Sequence, residues 1–161
     1  MPDQQQFLHV VDRDDAERRF QGSIDFTRRT IEVVPLDAAL GRVLATDVAS
    51  LVDVPSFDRS NADGFAVVAE DTFGASEESP RRVRLADEEI HTGVVPRTII
   101  HPGTSVSIAT GGMVPRGADA VVMVEHAEAS ERELRVTRAV TAGSGVSFAG
   151  TDITSGETVL R

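Results

Sequence analysis

Beyond Val54 the chain becomes short apolar runs separated by turns, with turn signals about ten residues apart. The runs are Phe65–Val68, Val83–Leu85, Ile99–Ile100, Val106–Ala109, Ala120–Val124, Leu134–Val136 and Val140. Each is too short for a buried helix, and Val and Ile dominate them, so they read as strands. Turn signals at that spacing restrict the region to a compact β module, barrel-like or sandwich-like. Val94, Val95 and Pro96 suggest an edge or irregular piece, because proline cannot donate to a ladder. Glu125–Glu133 reads as a charged hairpin loop. Aromatic residues are only 4% of the chain, with seven Phe and no Trp or Tyr, so the core is aliphatic.

The beginning of the chain has a different texture. Phe7, Val10, Val11, Ala16 and Phe20 recur at loosely helical spacing. Asp12, Asp14 and Asp15 come early and Arg18 and Arg19 late, which complements the dipole of a helix starting near Asp12 and stopping at Gly22 and Ser23. Ile31–Val34 predicts a short strand ended by Pro35. Asp37 is placed to cap a second helix with Ala38, Ala39, Leu40, Val43 and Leu44 on its apolar face. Gly41 inside that helix costs about 1 kcal/mol relative to Ala. Val48–Val54 leads into the β module, and the chain beyond Gly143 is rich in Gly and Ser. The fold class is α+β, mainly β. Its 161 residues suffice for one ordinary domain or two small ones.

Composition excludes several function classes. A formal charge of −10 disfavours nucleic acid, whose phosphates require a basic face. All 16 cationic residues are Arg, so Schiff-base chemistry and a P-loop lysine are ruled out. The absence of Cys removes disulfides, thiolate metal sites and thiol nucleophiles. No apolar stretch approaches the roughly 20 residues of a membrane helix, and no signal pattern opens the chain, which makes a cytoplasmic protein the expectation. His9, His91, His101 and His126 show no metal-ligand spacing and read as surface residues.

Three stretches carry groups suited to chemistry. In DVPSFDRSNADGFAV, Asp53–Val67, carboxylates recur at Asp53, Asp58 and Asp63 among turn formers. Pro55 fixes a φ angle, Gly64 permits a left-handed backbone, and Ser60 and Asn61 can bond their own backbone. A stiff loop presenting carboxylates suits a metal or general-base site; an acidic hairpin with an Asp–Gly turn explains the same residues, and the pattern alone favours it. In IATGGMVPRGADAVVMVE, Ile108–Glu125, the N–H groups of Thr110, Gly111 and Gly112 follow a strand and are placed to turn outward as an anion-binding nest, although Thr-Gly-Gly more often marks a plain turn. Pro115–Ala118 reads as a tight turn, and Glu125 as a solvated strand end. In AGTDITSGETVLR, Asp152 stands between two glycines and reads as a turn aspartate bonding nearby N–H groups.

DVPSFDRSNADGFAV also resembles the N-terminal signature of the molybdopterin molybdenumtransferase family, the MoeA and gephyrin E-domain group. LDAALGRVLATDV before it, and IATGGMVPRGADAVVMVE and GTDITSGETVL after it, match the family in the same order. The resemblance implies a coiled, barrel-like β domain at 51–140, inserted in a small α/β linker and dimerisation domain made of 1–50 plus 141–161. It implies insertion of molybdate into adenylated molybdopterin with Mg²⁺, by a homodimer whose cleft pairs this β domain with the partner's pterin-binding domain. Asp63, Thr110 and Asp152 would be the catalytic positions, with Asp63 also at the metal. Asp58, Ser60, Gly111 and Gly112 would support cofactor binding. Ala62 and Gly112 depart from the usual Met and Ala, changes that remove no reactive group. The pterin-binding domain would lie beyond Arg161, leaving half a site that is inactive alone. A non-catalytic dimerisation or docking module derived from the same family is the alternative expectation, with regulatory molybdate sensing a weaker third.

Overall fold

The computed structural model describes residues 11–25, 27 and 30–161, which divide into two compact units, Met1–Ala45 and Thr46–Arg161.

In the first unit, helix α1 spans Arg13–Gly22. Asp12 caps it by accepting the Asp14 N–H at 2.8 Å, and Ser23 closes it, in agreement with the charge pattern. Phe7 and Val10 of its expected face lie outside the described residues. The second helix does not form. Only a single 3₁₀ turn, Leu36–Ala38, is present there, and Gly41 takes φ +79° where a helix would continue. Leu36, Leu40 and Val43 are more than 90% exposed, so no packing among the described residues of this unit supports a helix there. Ile31–Val34 likewise finds no strand partner among the described residues. Among the described residues of this unit, none is buried.

The second unit holds, among the described residues, ten strands: β1 Val48–Ala49, β2 Arg59–Ser60, β3 Gly64–Val67, β4 Arg81–Ile90, β5 Thr104–Ile108, β6 Ala120–Met123, β7 Ala127–Ala129, β8 Glu133–Val136, β9 Val146–Ser147 and β10 Thr158–Leu160. Six form one sheet in the order β6-β3-β5-β4-β8-β7, curled into a half-barrel. Among the pairings of that sheet only β4 and β5 run parallel. Two small ladders, β1 with β10 and β2 with β9, tie the tail back to the beginning of the unit. Leu85 faces Ser105 and Glu89 faces Ser107, so β4 holds extra residues between these pairs. That bulge bends the long strand and curls the sheet.

Alternation along the strands sends side chains to two core clusters. Phe65, Val67, Val122, Leu134 and Val136 fill one; Ala66, Ile90, Ile100, Val106, Ile108 and Val121 fill the other. β3 is buried on both faces, which explains its unbroken apolar run. Ile99–Ile100 is not a strand; Ile100 is buried singly and its N–H reaches the Arg116 carbonyl at 2.8 Å. Val140 is also outside any strand, with its N–H on Thr72 Oγ1 at 2.9 Å. The hairpin at Glu125–Glu133 contains more order than a loop, because Ala127–Ala129 pairs with β8. Gly64 corrects another expectation. It lies inside β3 with no positive φ, and glycine is required because a Cβ there would sit 2.1 Å from the Val122 carbonyl oxygen of β6.

Candidate functional site

The three carboxylates of the acidic bend have one role in common. Asp53 Oδ1 accepts the Ser155 N–H at 2.8 Å, Asp58 Oδ1 accepts the Ala149 N–H at 2.8 Å, and Asp63 Oδ1 accepts the Thr110 N–H at 2.7 Å. Each fastens the bend to a backbone donor far away in sequence, through a charge-assisted bond. Between them the bend is stitched at main-chain level. Ser60 N–H reaches the Gly112 carbonyl at 2.9 Å, Gly111 N–H reaches the Ser60 carbonyl at 2.8 Å, and Val114 N–H reaches the Asp58 carbonyl at 2.8 Å. Ser60 is buried, its hydroxyl turned onto the Ala62 carbonyl at 2.5 Å. Ser60 therefore shapes the bend from inside, while Asp58, which is exposed, fastens it through one carboxylate oxygen.

Asp63 and Thr110 meet directly. Besides its N–H, Thr110 donates its hydroxyl to the same Asp63 Oδ1 at 2.9 Å, and among the described residues Oδ2 takes no hydrogen bond. Both side chains are exposed. The Thr110 backbone N–H first, and its hydroxyl second, hold the Asp63 carboxyl below the ordinary aspartate range. A carboxylate kept so acidic is a poor general base near neutrality and a good acceptor or cation ligand. Because the folded-state value is depressed, the stability this contact adds is present above the unfolded aspartate value of about 4 and is lost as pH falls through the lower folded one. Thr110→Val removes the hydroxyl and keeps the N–H, so it should raise the Asp63 titration midpoint in carboxyl-carbon NMR; an unmoved midpoint would mean the hydroxyl contact is absent in solution.

The outward nest at Thr110–Gly112 is not what forms. Thr110 N–H goes to Asp63, Gly111 N–H to Ser60, and Gly112 N–H to the Ala109 carbonyl at 2.8 Å. The segment is a closed turn whose donors serve the chain itself. Asp152 is not bonded to the Asp63–Thr110 pair among the described residues and does not line the hollow beside Asp63. Its N–H meets the Val54 carbonyl at 2.9 Å, and its exposed side chain makes no hydrogen bond among the described residues, neither to Asp63 nor to its own turn.

Beside Asp63 lies a hollow of about 150 Å³, with Glu89, His91, Ser107 and Val124 on its other sides. His91 Nε2 is 3.6 Å from Glu89 Oε2. In the sequence Glu89 carries no signal and His91 reads as an ordinary surface residue; the fold puts Glu89, in β4, and His91, just past its end, on the same hollow. Glu89 does not stand out because β4 carries charges along most of its length. A larger hollow, about 680 Å³, belongs to the first unit, lined by apolar residues such as Ile31, Val34 and Val43 with Glu32 and Arg42. It contains none of the candidate residues. No three His, Asp or Glu side chains among the described residues gather to hold a metal ion. The donor set suits a cation only in the mode where one carboxylate is joined by substrate oxygens and water, as Mg²⁺ often is.

The molecule is thus a curled, mainly β module fastened by an acidic bend, with an aspartate and a threonine joined on its exposed surface. The family model for the MoeA N-terminal region (domain I and II) matches residues 11–161, and the chain belongs to that family. Molybdopterin molybdenumtransferase of Bacillus subtilis is 41% identical over 133 residues, covering 80% of this chain and 31% of that protein. Molybdopterin molybdenumtransferase 2 of Mycobacterium tuberculosis is 39% identical over 128 residues, covering 80% and 31%. The crystal structure of the molybdopterin biosynthesis MoeA protein from Pyrococcus horikoshii superposes with a TM-score of 0.73 at 41% identity, covering 81% of this chain and 34% of that one. The chain thus spans about a third of the length of these relatives. No helix among the described residues is long and apolar enough to cross a membrane.

Proposed function

We propose that this chain is the N-terminal portion of a molybdopterin molybdenumtransferase and supplies one wall of the site where molybdate is inserted into adenylated molybdopterin. The observation that carries this reading is the Asp63–Thr110 contact, formed between the two segments that most resemble the transferase signature. Asp63 Oδ2 is the acceptor offered to the substrate side, and Thr110 fixes the position of the carboxylate through Oδ1. Asp58 and Ser60 fix the bend, and Gly111 and Gly112 let its backbone close against them. Asp152 adds an exposed negative charge that no hydrogen bond among the described residues ties to the pair. A module of charge −10 repels molybdate and a pterin phosphate, so attraction comes from a divalent cation or from cations on the opposing pterin-binding wall. Mg²⁺, when bound, would offset the oxyanion charge, with Asp63 as its ligand from this chain. The complete site in this reading is built by a homodimer.

The test is a chimera joining residues 1–161 to the remaining two-thirds of the Bacillus subtilis enzyme, in cells lacking their own transferase. It should restore molybdate-dependent cofactor formation, and Asp63→Asn should lower it about a hundredfold, the scale for losing one oriented charged group. Equal activity in the Asp63→Asn chimera would refute the catalytic role. A soluble chimera that restores nothing would favour the alternative, a docking module, which the exposed Leu36, Leu40 and Val43 also suit.

A further inference from the structure

We propose that Thr92 is a positioning residue for the Asp63–Thr110 pair, acting through the peptide that joins Thr110 to Gly111. β4 and β5 are parallel and in register at their ends, with Ile90 opposite Ile108. Parallel strands leave a sheet in the same direction, so the turns that follow them emerge side by side. Thr92 and Thr110 each stand two residues past this pair. Each occupies the second position of a four-residue turn whose third position is a glycine with positive φ: Gly93 at +82° and Gly111 at +79°. Val94 N–H closes the first turn on the His91 carbonyl at 3.1 Å, and Gly112 N–H closes the second on the Ala109 carbonyl at 2.8 Å.

The two turns are linked by one bond. Thr92 Oγ1 donates to the Thr110 carbonyl at 2.9 Å. The other end of the same peptide is held as well, since Gly111 N–H donates to the Ser60 carbonyl at 2.8 Å. The central peptide of a tight turn is the part that can flip, exchanging the directions of its C=O and N–H and converting type II to type I. Here both ends are tied, by Thr92 on one side and the acidic bend on the other. Thr110 is thereby anchored from its carbonyl side, while its own N–H, which belongs to the preceding peptide, and its hydroxyl both point at Asp63 Oδ1. The space is also matched, because a Cβ at Gly111 would meet Thr92 Oγ1 at 3.2 Å. Thr92 touches neither Asp63 nor the hollow beside it. Its effect passes through Thr110, and its importance for catalysis rests on the reading of Asp63 given above.

Amide hydrogen exchange on the 161-residue chain tests the placement directly. In Thr92→Val, the Thr110 and Gly111 amides should exchange about five- to tenfold faster, the range expected for losing one ordinary hydrogen bond. Core amides of Ala66 and Val106 should keep their rates, and Thr92→Ser, which retains the hydroxyl, should restore the original rates at both turn amides. Thr92→Ala should behave like Thr92→Val, which separates loss of the hydroxyl from any strain a valine introduces. Unchanged Thr110 and Gly111 rates in both variants would overturn the proposal, as would acceleration that Thr92→Ser fails to reverse. Because exchange is read without turnover, this result stands apart from the Asp63→Asn chimera, which decides whether the pair serves catalysis.

Discussion

Gly64→Ala is expected to lower the melting temperature by roughly 10 °C, or to prevent folding altogether. The added Cβ would lie 2.1 Å from the Val122 carbonyl oxygen and 2.9 Å from its carbon. Both are main-chain atoms of β6, so no rotamer change relieves the clash. β6 cannot move aside cheaply, because its other edge is held by the Val121 N–H on the Ser144 carbonyl at 2.8 Å. Overpacking of this kind costs about 1–3 kcal/mol when neighbours can adjust, and more when backbone blocks adjustment. Gly22→Ala is the matched control, since a Cβ there meets nothing within 4 Å. Calorimetry should find that control unchanged or slightly more stable. A Gly64→Ala protein melting within about 2 °C of the parent would mean that β3 and β6 do not approach as closely as described.

The second large effect is expected at Leu134. Its side chain is fully buried in the cluster it shares with Phe65, Val83, Val122 and Val136. Leu134→Ala removes that contact area and leaves a cavity walled by stiff β-branched residues, with an expected loss of about 2–5 kcal/mol. Denaturant titration should show a lower midpoint with an unchanged slope. Leu36→Ala makes the same chemical change at a side chain 91% exposed and should be close to neutral in this chain. Similar losses from both would show that the first unit has a core that the described residues lack.

The contrast between those two leucines shows what was legible in the sequence. Runs such as Phe65–Val68, Val106–Ala109, Ala120–Val124 and Leu134–Val136 became strands because alternation or continuous apolarity matched faces that are buried. Leu36–Leu44 carried an equally good helical pattern and formed a single turn, because periodicity states which face needs cover but not whether cover is available. Ile100 read as a strand although it is an isolated core plug. In β4, arginines and glutamates masked a strand of ten residues and its bulge.

At the candidate site, the resemblance drew attention to Asp63 and Thr110, and the fold places them in contact across 47 residues of sequence. Proximity could not be read from spacing, because it depends on how β3 and β5 pair. At Thr110–Gly112 the plain turn, the favoured reading, is what forms and the nest is not; glycine pattern gives backbone freedom without saying which acceptors compete for the N–H groups. Asp63 and Ser60 provide two of those acceptors, and both belong to the bend itself. The proximity of Glu89 and His91 becomes visible only once β4 is known to run as far as Ile90, with His91 just beyond its end.

The β1–β10 ladder has a practical consequence. Val48 lies opposite Leu160 and Ala49 opposite Thr158, so the polypeptide enters and leaves the Thr46–Arg161 unit at neighbouring points, about one strand spacing apart. A module whose two connections sit that close can be grafted into a surface loop of another protein, or reopened elsewhere after its ends are joined, without stretching either partner.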